Sequence, residues 1–343
     1  MFIPKIIRYL IALIFLINAC NTQRSDFSSN EKHISGKKLE IGCLIGGSPV
    51  EIVCIDNLLL YYDKYENQTV TVFNTQNEQF VRRFLTIGKG PGEVIAPVKL
   101  FVSPIDKKIC VFQMQTGHVN VYEPNEIITQ NQITTPHQIF LGDRPANIKK
   151  IKDGYIGIGM FDGGRYRLYD SIGNMVSECG QYPFRGEEMD QMGRFFLYQG
   201  VLSTSADGSC FAMGTSYCDN LEFYRIENGT AILTKRYENY DVKAQFSNVI
   251  RMDDDCVMNY KAAYGGKYCY MLYSGKTYLE QGRFRSAGGR KIIVFDWNGN
   301  YIKSFIADVD IYSFCVDEEN NIIYAIAYDK EDEGGFIIKK IEI

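Results

Sequence analysis

Hydrophobic and polar positions alternate along most of this chain in short runs broken by turn residues. The clearest example is Lys291 to Phe305. Ile292-Ile293-Val294-Phe295 is an unbroken apolar run, as in a strand covered on both faces. Asp296-Trp297-Asn298-Gly299-Asn300 is a turn, and Tyr301 to Phe305 alternates again. Asn298-Gly299 predicts a two-residue hairpin with positive φ at both positions. Weaker copies lie upstream, centred on Phe73, Tyr122, Tyr169 and Tyr224. Their second strands fall at Phe80-Val81, Ile127-Ile128, Met175-Val176 and Ala231-Ile232. From Phe73 to Phe295 the marker aromatics are 49, 47, 55 and 71 residues apart. A sixth copy without its second strand ends the chain, at Phe336 to Ile343.

A strand-only repeat of about 40–50 residues predicts a β-propeller with four antiparallel strands per blade. We call these strands A to D, inner to outer. The blades are expected at 50–87, 97–133, 146–184, 200–237, 256–306 and 311–343. Leu39, Ile41, Cys43 and Ile45 alternate as a half-buried strand does. Residues 38–46 are therefore expected to supply the missing outer strand of the sixth blade and close the ring, leaving no exposed edge. The predicted fold is all-β, a six-bladed propeller over residues 38–343.

Residues 1–20 read as a secretory leader. Lys5 and Arg8 precede the apolar run Leu10 to Ile17, and Ile17-Asn18-Ala19-Cys20 has the form of a bacterial lipobox with Cys20 as the acylated residue. Residues 21–37, rich in Asn, Ser, Gln and Lys, are expected to be a flexible tether. No acidic run follows Cys20, which suits an outer-membrane anchor facing the periplasm.

Once Lys5 and Arg8 leave with the leader, 35 basic residues face 41 acidic ones, a net charge of −6. That argues against a nucleic-acid partner. There are 10 cysteines. No C-x-x-C and no Cys/His zinc spacing occurs, so those beyond Cys20 are expected to be buried free thiols; Cys210 and Cys218 flank one hairpin and could pair.

Between the first two blades lies Gly88-Lys89-Gly90-Pro91-Gly92-Glu93-Val94. It lacks dinucleotide-fingerprint spacing and reads as a structural turn, stiffened by Pro91 and braced by Glu93. With this G-x-GPGE turn after an early blade, the lipobox and the blade spacing, the chain resembles the TolB-like six-bladed propeller lipoproteins of bacterial envelopes. The resemblance implies a fold and an address. It brings no catalytic residues with it.

In such a ring the A–B and C–D turns share one end, and the B–C and D–A connections share the other. The first set is short (Asp153-Gly154, Asn228-Gly229). The long insertions, 183–196, 239–255 and 274–290, are assigned to the second end, where insertions in repeat proteins tend to serve binding. Arg185, Arg194, Tyr278, Arg283, Phe284 and Arg285 are the candidate binding residues there, suited to an anionic or glycan partner by bidentate hydrogen bonds and stacking. Chemistry of other kinds is thin. Gly275-Lys276-Thr277 has Tyr270 where a P-loop needs glycine. His118 and His137 fall in connections at the long-loop end with no nucleophile tied to them. Asp253-Asp254-Asp255 lacks a spaced calcium pattern.

The sequence thus supports a lipid-anchored, monomeric envelope propeller that binds a protein or glycan, without catalysis and without cofactor or metal. The alternative is a metal-dependent hydrolase or lyase with its site in the channel. The inner strands read as mainly apolar, which favours binding.

Overall fold

The computed structural model describes residues 27–43, 45–46, 50–130, 136–182, 189–239, 244–246, 250–280, 288–329 and 335–343. Six antiparallel blades follow one another. The first is Glu51–Ile55, Leu58–Tyr65, Gln68–Asn74 and Gln79–Thr86; the second is Val98–Val102, Ile109–Gln113, His118–Tyr122 and His137–Phe140. The third is Asn147–Ile151, Gly154–Ile158, Tyr166–Asp170 and Met175–Cys179; the fourth is Gly200–Thr204, Cys210–Thr215, Asp219–Glu227 and Thr230–Asn239. Blade 5 opens with Tyr260–Gly265, Cys269–Tyr273 and Gly289–Phe295. One continuous strand, Tyr301–Asp317, then serves as strand D of blade 5 and strand A of blade 6, which continues with Ile322–Tyr328 and Phe336–Glu342.

The ring shape follows from period-two burial. In blade 1, Leu58 and Leu60 pack with Leu100 and Val111 of blade 2, while Leu59 and Tyr61 pack with Cys315 and Ile326 of blade 6. Successive side chains of a strand point to opposite faces, so an unbroken apolar run is what a blade between two neighbours requires. Distinct apolar clusters fill the remaining junctions: blades 2 and 3 meet through Phe112 and Tyr155, 3 and 4 through Tyr166 and Phe211, 4 and 5 through Phe223 and Phe295, 5 and 6 through Phe305 and Phe314. With the 6–1 junction filled like the others, the circle is complete.

Closure departs from expectation in register. Gly36–Lys38, not 38–46, pairs antiparallel with the last strand, Gly36 opposite Ile341 and Lys38 opposite Lys339. Leu39 adds one more bond, its N–H to the Ile338 carbonyl at 2.8 Å, and Leu39 and Ile41 then pack into the 6–1 junction. Gly36 suits the close approach: a Cβ there would stand 2.3 Å from the Lys340 carbonyl oxygen.

The expected tether is corrected over its described part. Glu31–Ile34 runs parallel to Ser304–Ala307 as an additional outermost strand on blade 5. Phe27 seats edge-on against Phe295 and Tyr237, with ring centroids 5.1 and 5.3 Å away. Cys20 lies outside the described residues.

Two further expectations change. Ile127-Ile128 is not a strand. Pro124 at the first helical turn and a reciprocal capping box between Glu123 and Glu126 start helix α1, Pro124–Thr129, and strand D of blade 2 is formed later by His137–Phe140. This places helix α1, in the C–D connection of blade 2, at the short-turn end, so not every long insertion shares one end. The Asn298-Gly299 turn has one positive φ, at Gly299, not two. Asp296 forms it by accepting the N–H groups of Asn298 and Asn300 at 2.9 and 2.8 Å, and Asp170 builds the matching turn of blade 3 through Ile172 and Asn174 at 3.0 and 2.8 Å. Aspartate supplies local acceptors here, so the loop is one residue longer than a minimal hairpin.

Candidate functional site at the long-loop end

The connections at the B–C and D–A end pack on one another. Asp190 caps helix α2, Gln191–Tyr198, by accepting the Gly193 N–H at 2.7 Å. The buried side of α2, Leu197 and Tyr198, joins Cys218 in a small apolar cluster with Tyr182, Met189, Tyr217 and Met252. Cys256 reaches the Tyr217 carbonyl through its thiol, at 3.7 Å, and its own carbonyl accepts the Tyr278 N–H at 2.8 Å. The segment Thr277–Leu279 is tied down further by a bridge from Thr277 to Val257 and a 2.9 Å bond from the Leu279 N–H to the Asp254 carbonyl. A layer therefore runs from α2 across blade 4 to blade 5.

Of the residues singled out from sequence, Arg194 lies on α2 with its guanidinium 6.0 Å from the Tyr182 ring. Tyr278 is half-buried in the layer beside Cys256. Arg185, Arg283, Phe284 and Arg285 lie outside the described residues. In the turn after blade 1, the Gly90 N–H donates to the Glu93 carboxylate at 2.7 Å and the Glu93 N–H to the Gly90 carbonyl at 3.0 Å. Gly92 has a φ of +77°, and a Cβ on Gly88 would fall 1.9 Å from the Glu93 carboxylate. Pro91 and Lys89 are exposed on this loop.

His118 and His137 are not in long-loop connections. They open strands C and D of blade 2, with the His118 ring 5.0 Å from that of Phe140. The nine described cysteines are all free thiols, and Cys210 and Cys218 sit toward opposite ends of their hairpin. Burial pushes the Cys218 and Cys269 thiols up to about 12, far from the depressed values of reactive cysteines. Among the described residues, no three His, Cys, Asp or Glu side chains converge as a metal set would.

Beneath α2 lies a buried charge network that sequence reasoning missed. Glu222, fully buried, receives Arg165 at 2.8 Å and forms an ion pair with Arg236 at 2.8 Å. The hydroxyls of Tyr166 and Tyr224 donate to it at 2.5 and 3.1 Å. Arg165, also buried, donates to the Tyr198 carbonyl at 3.0 Å and so ties blade 3, blade 4 and the end of α2 together. Burial above all holds the Tyr166 hydroxyl well above its ordinary value, which keeps it a donor. The signal was Glu222 alone inside Leu221 to Tyr224.

The central channel is a cavity of about 560 Å³ lined by the A strands of all six blades. The inner strands are not uniformly apolar, contrary to expectation. Lys99, Lys149 and Lys261 come from the A strands of blades 2, 3 and 5, and Glu51 from that of blade 1. Lys99 pairs with Glu51 at 3.0 Å, which holds its ammonium above the usual lysine value. The Lys149 ammonium lies 5.4 Å from the Phe101 ring centroid and is pulled down by burial. Burial alone pulls Lys261 down to about 8.

Six four-stranded blades closed around a channel by the chain's own N-terminal strand define a six-bladed β-propeller. The chain belongs to the TolB-like 6-blade propeller-like family, whose model matches residues 26–319. No curated protein matches it in sequence. Among solved structures it is similar to a Bacteroides fragilis NCTC 9343 protein described as exported, with 14% identity and a TM-score of 0.56 over 91% of this chain and 98% of that one. It is also similar to a duf4221 family member from Bacteroides vulgatus ATCC 8482, with 12% identity and a TM-score of 0.55 over 91% and 96% of the two chains. At these identities the likeness concerns the fold.

Proposed function

We propose that this protein is a lipid-anchored, non-catalytic component of the bacterial envelope that binds a protein partner through the long-loop end of its ring. The address rests on the leader ending at Cys20, on family membership and on the similarity to a protein described as exported. The observation that carries the binding reading is the outer surface of the packed layer. Met160, Met192, Phe196 and Leu279 stand 52, 55, 41 and 67% exposed there. Gln191, next to Met192, donates to the Met160 carbonyl at 2.8 Å and brings the two methionine segments together. Apolar side chains held out on a braced surface suit a protein face better than a glycan, and methionine adapts to varied partner shapes.

Affinity capture from native envelopes tests this. Met192→Glu with Leu279→Glu is expected to reduce partner recovery at least about tenfold, a change of about 1.4 kcal/mol. Ile172→Glu, on the short C–D turn of blade 3, is expected to leave recovery unchanged. Equal recovery from all three proteins contradicts the assignment of the face.

A further inference from the structure

We propose that the outer rim of blades 2 to 4 is a membrane-contact surface, laid against the bilayer that holds the acyl chains of Cys20. The proposal rests on the lipid anchor and goes beyond it by assigning a second bilayer contact, made by the folded ring itself. Phe140, Ile172, Met175, Val176, Ile232 and Leu233 are each at least 40% exposed. Ile172 lies on the C–D turn of blade 3, and the others lie on the outermost strands of three successive blades.

Contacts between neighbouring blades join these positions into one surface. The C–D turn of blade 3 rests on the outer strand of blade 2: a Cβ on Gly173 would stand 2.2 Å from the Phe140 carbonyl oxygen. The C–D turn of blade 4 rests likewise on blade 3, with the Ser177 hydroxyl donating to the Gly229 carbonyl at 2.7 Å. That of blade 5 rests on blade 4, with the Tyr237 hydroxyl donating to the Gly299 carbonyl at 2.6 Å. In blade 3 the pairing slips between Leu168 and Tyr169, which skips Val176 in the ladder, and Val176 stands exposed beside Met175. An outermost strand in water is normally guarded by charge. Blades 5 and 6 follow that rule, since their outermost strands expose Glu31 and Lys32, and Lys37 and Lys38.

What covers the patch follows from where the chain enters the fold. Phe27 stands seven positions after Cys20, and seven extended residues span at most about 25 Å. Phe27 is seated against Tyr237 and Phe295, and its carbonyl accepts the Ser304 hydroxyl at 2.8 Å. Tyr237 belongs to the outer strand of blade 4, four residues beyond Leu233, a distance of about 13 Å along a strand. An exposed apolar patch of this kind marks a protein or a membrane contact. The short reach from the anchor to the edge of the patch selects the membrane.

Photo-crosslinking of the full chain in native envelopes, with mass spectrometry of the adducts, tests the proposal. Probes replace Val176 and Leu233, and a control probe replaces Leu279 on the long-loop layer. Phospholipid adducts from positions 176 and 233, and none from position 279, are the expected result. Met175→Glu with Ile232→Glu is expected to cut the lipid adduct at position 233 at least about tenfold, because each aliphatic side chain lost from an apolar contact is worth more than one decade in the equilibrium. The melting temperature is expected to stay unchanged. A protein adduct in place of lipid, from a partner or a second copy, overturns the proposal. So do equal lipid yields from all three positions, or a lipid adduct that the double variant leaves intact. The mass of the N-terminal peptide separates the two readings. An unmodified Cys20 removes the anchor and the membrane contact together, whereas an acylated Cys20 without lipid adducts at 176 and 233 overturns the membrane contact alone.

Discussion

Glu222→Ala is expected to lower folding stability by about 3–5 kcal/mol, the usual consequence of breaking a buried ion pair from one side. The reason lies in what remains. Arg165 is 2% exposed and the Glu222 side chain 0%, so removing the carboxylate leaves a buried guanidinium without its counter-charge. It also leaves the Tyr166 and Tyr224 hydroxyls without their acceptor. Glu222→Gln keeps the shape and one acceptor oxygen and is expected to fall between wild type and alanine. A double change, Arg165→Met with Glu222→Leu, removes the fully buried guanidinium with the carboxylate, while Arg236 keeps Glu238 at 3.2 Å, and is expected to recover part of the loss. Chemical denaturation followed by tryptophan and tyrosine fluorescence gives the ordering. Equal midpoints for Glu222→Ala and the double variant would contradict it.

The second large effect concerns closure. Deleting residues 27–38 removes Phe27 from its seat on Phe295, the parallel strand Glu31–Ile34 and the pairing strand Gly36–Lys38. Loss of the Phe27 and Ile34 packing is worth at least about 3 kcal/mol on the scale of large-to-small core substitutions. The deletion also exposes the edge of Phe336–Glu342, and an unpaired strand edge is a template for association. The deletion variant is expected to melt lower and to sediment partly as oligomers, with fast amide exchange over 336–342. Gly36→Val, a single change against the Lys340 carbonyl, is expected to give a smaller shift of the same sign. Unchanged exchange in the last strand would show that closure does not depend on this segment.

Which features were legible in the chain follows from how each is encoded. The blades were readable because a strand packed on both faces needs an unbroken apolar run, and such runs return at intervals of 47 to 71 residues. Closure was readable as an event but not in register. Leu39 and Ile41 alternate because they are buried in the 6–1 junction, whereas the pairing is made by Gly36–Lys38, an outer strand whose polar side chains carry no hydrophobic signal. The structured part of the expected tether was hidden for the same reason, its burial resting on Phe27 and Ile34 alone. In blade 2, Ile127-Ile128 resembled a strand, yet Pro124 with the Glu123/Glu126 box was a helix signal of greater weight. Lys99, Lys261 and Glu222 were each one charged residue inside a largely apolar run, and Lys149 was one of a pair with Lys150. Such residues are visible in the sequence, but only the ring shows that Lys99, Lys149 and Lys261 line one channel and that Glu222 meets two arginines. Arg194 and Tyr278 do fall within one packed layer, through Tyr217 and Cys256, contacts that loop sequences do not announce.

The central claim, that the long-loop end engages a protein partner, is tested most directly by site-specific photo-crosslinking in the native envelope. One probe replaces Leu279, 67% exposed on the layer, and a control probe replaces Ile172, 71% exposed on the short turn of blade 3. A discrete protein adduct from position 279 and none from position 172 is the predicted result. Adducts of equal yield from both positions, or none from position 279, would contradict it.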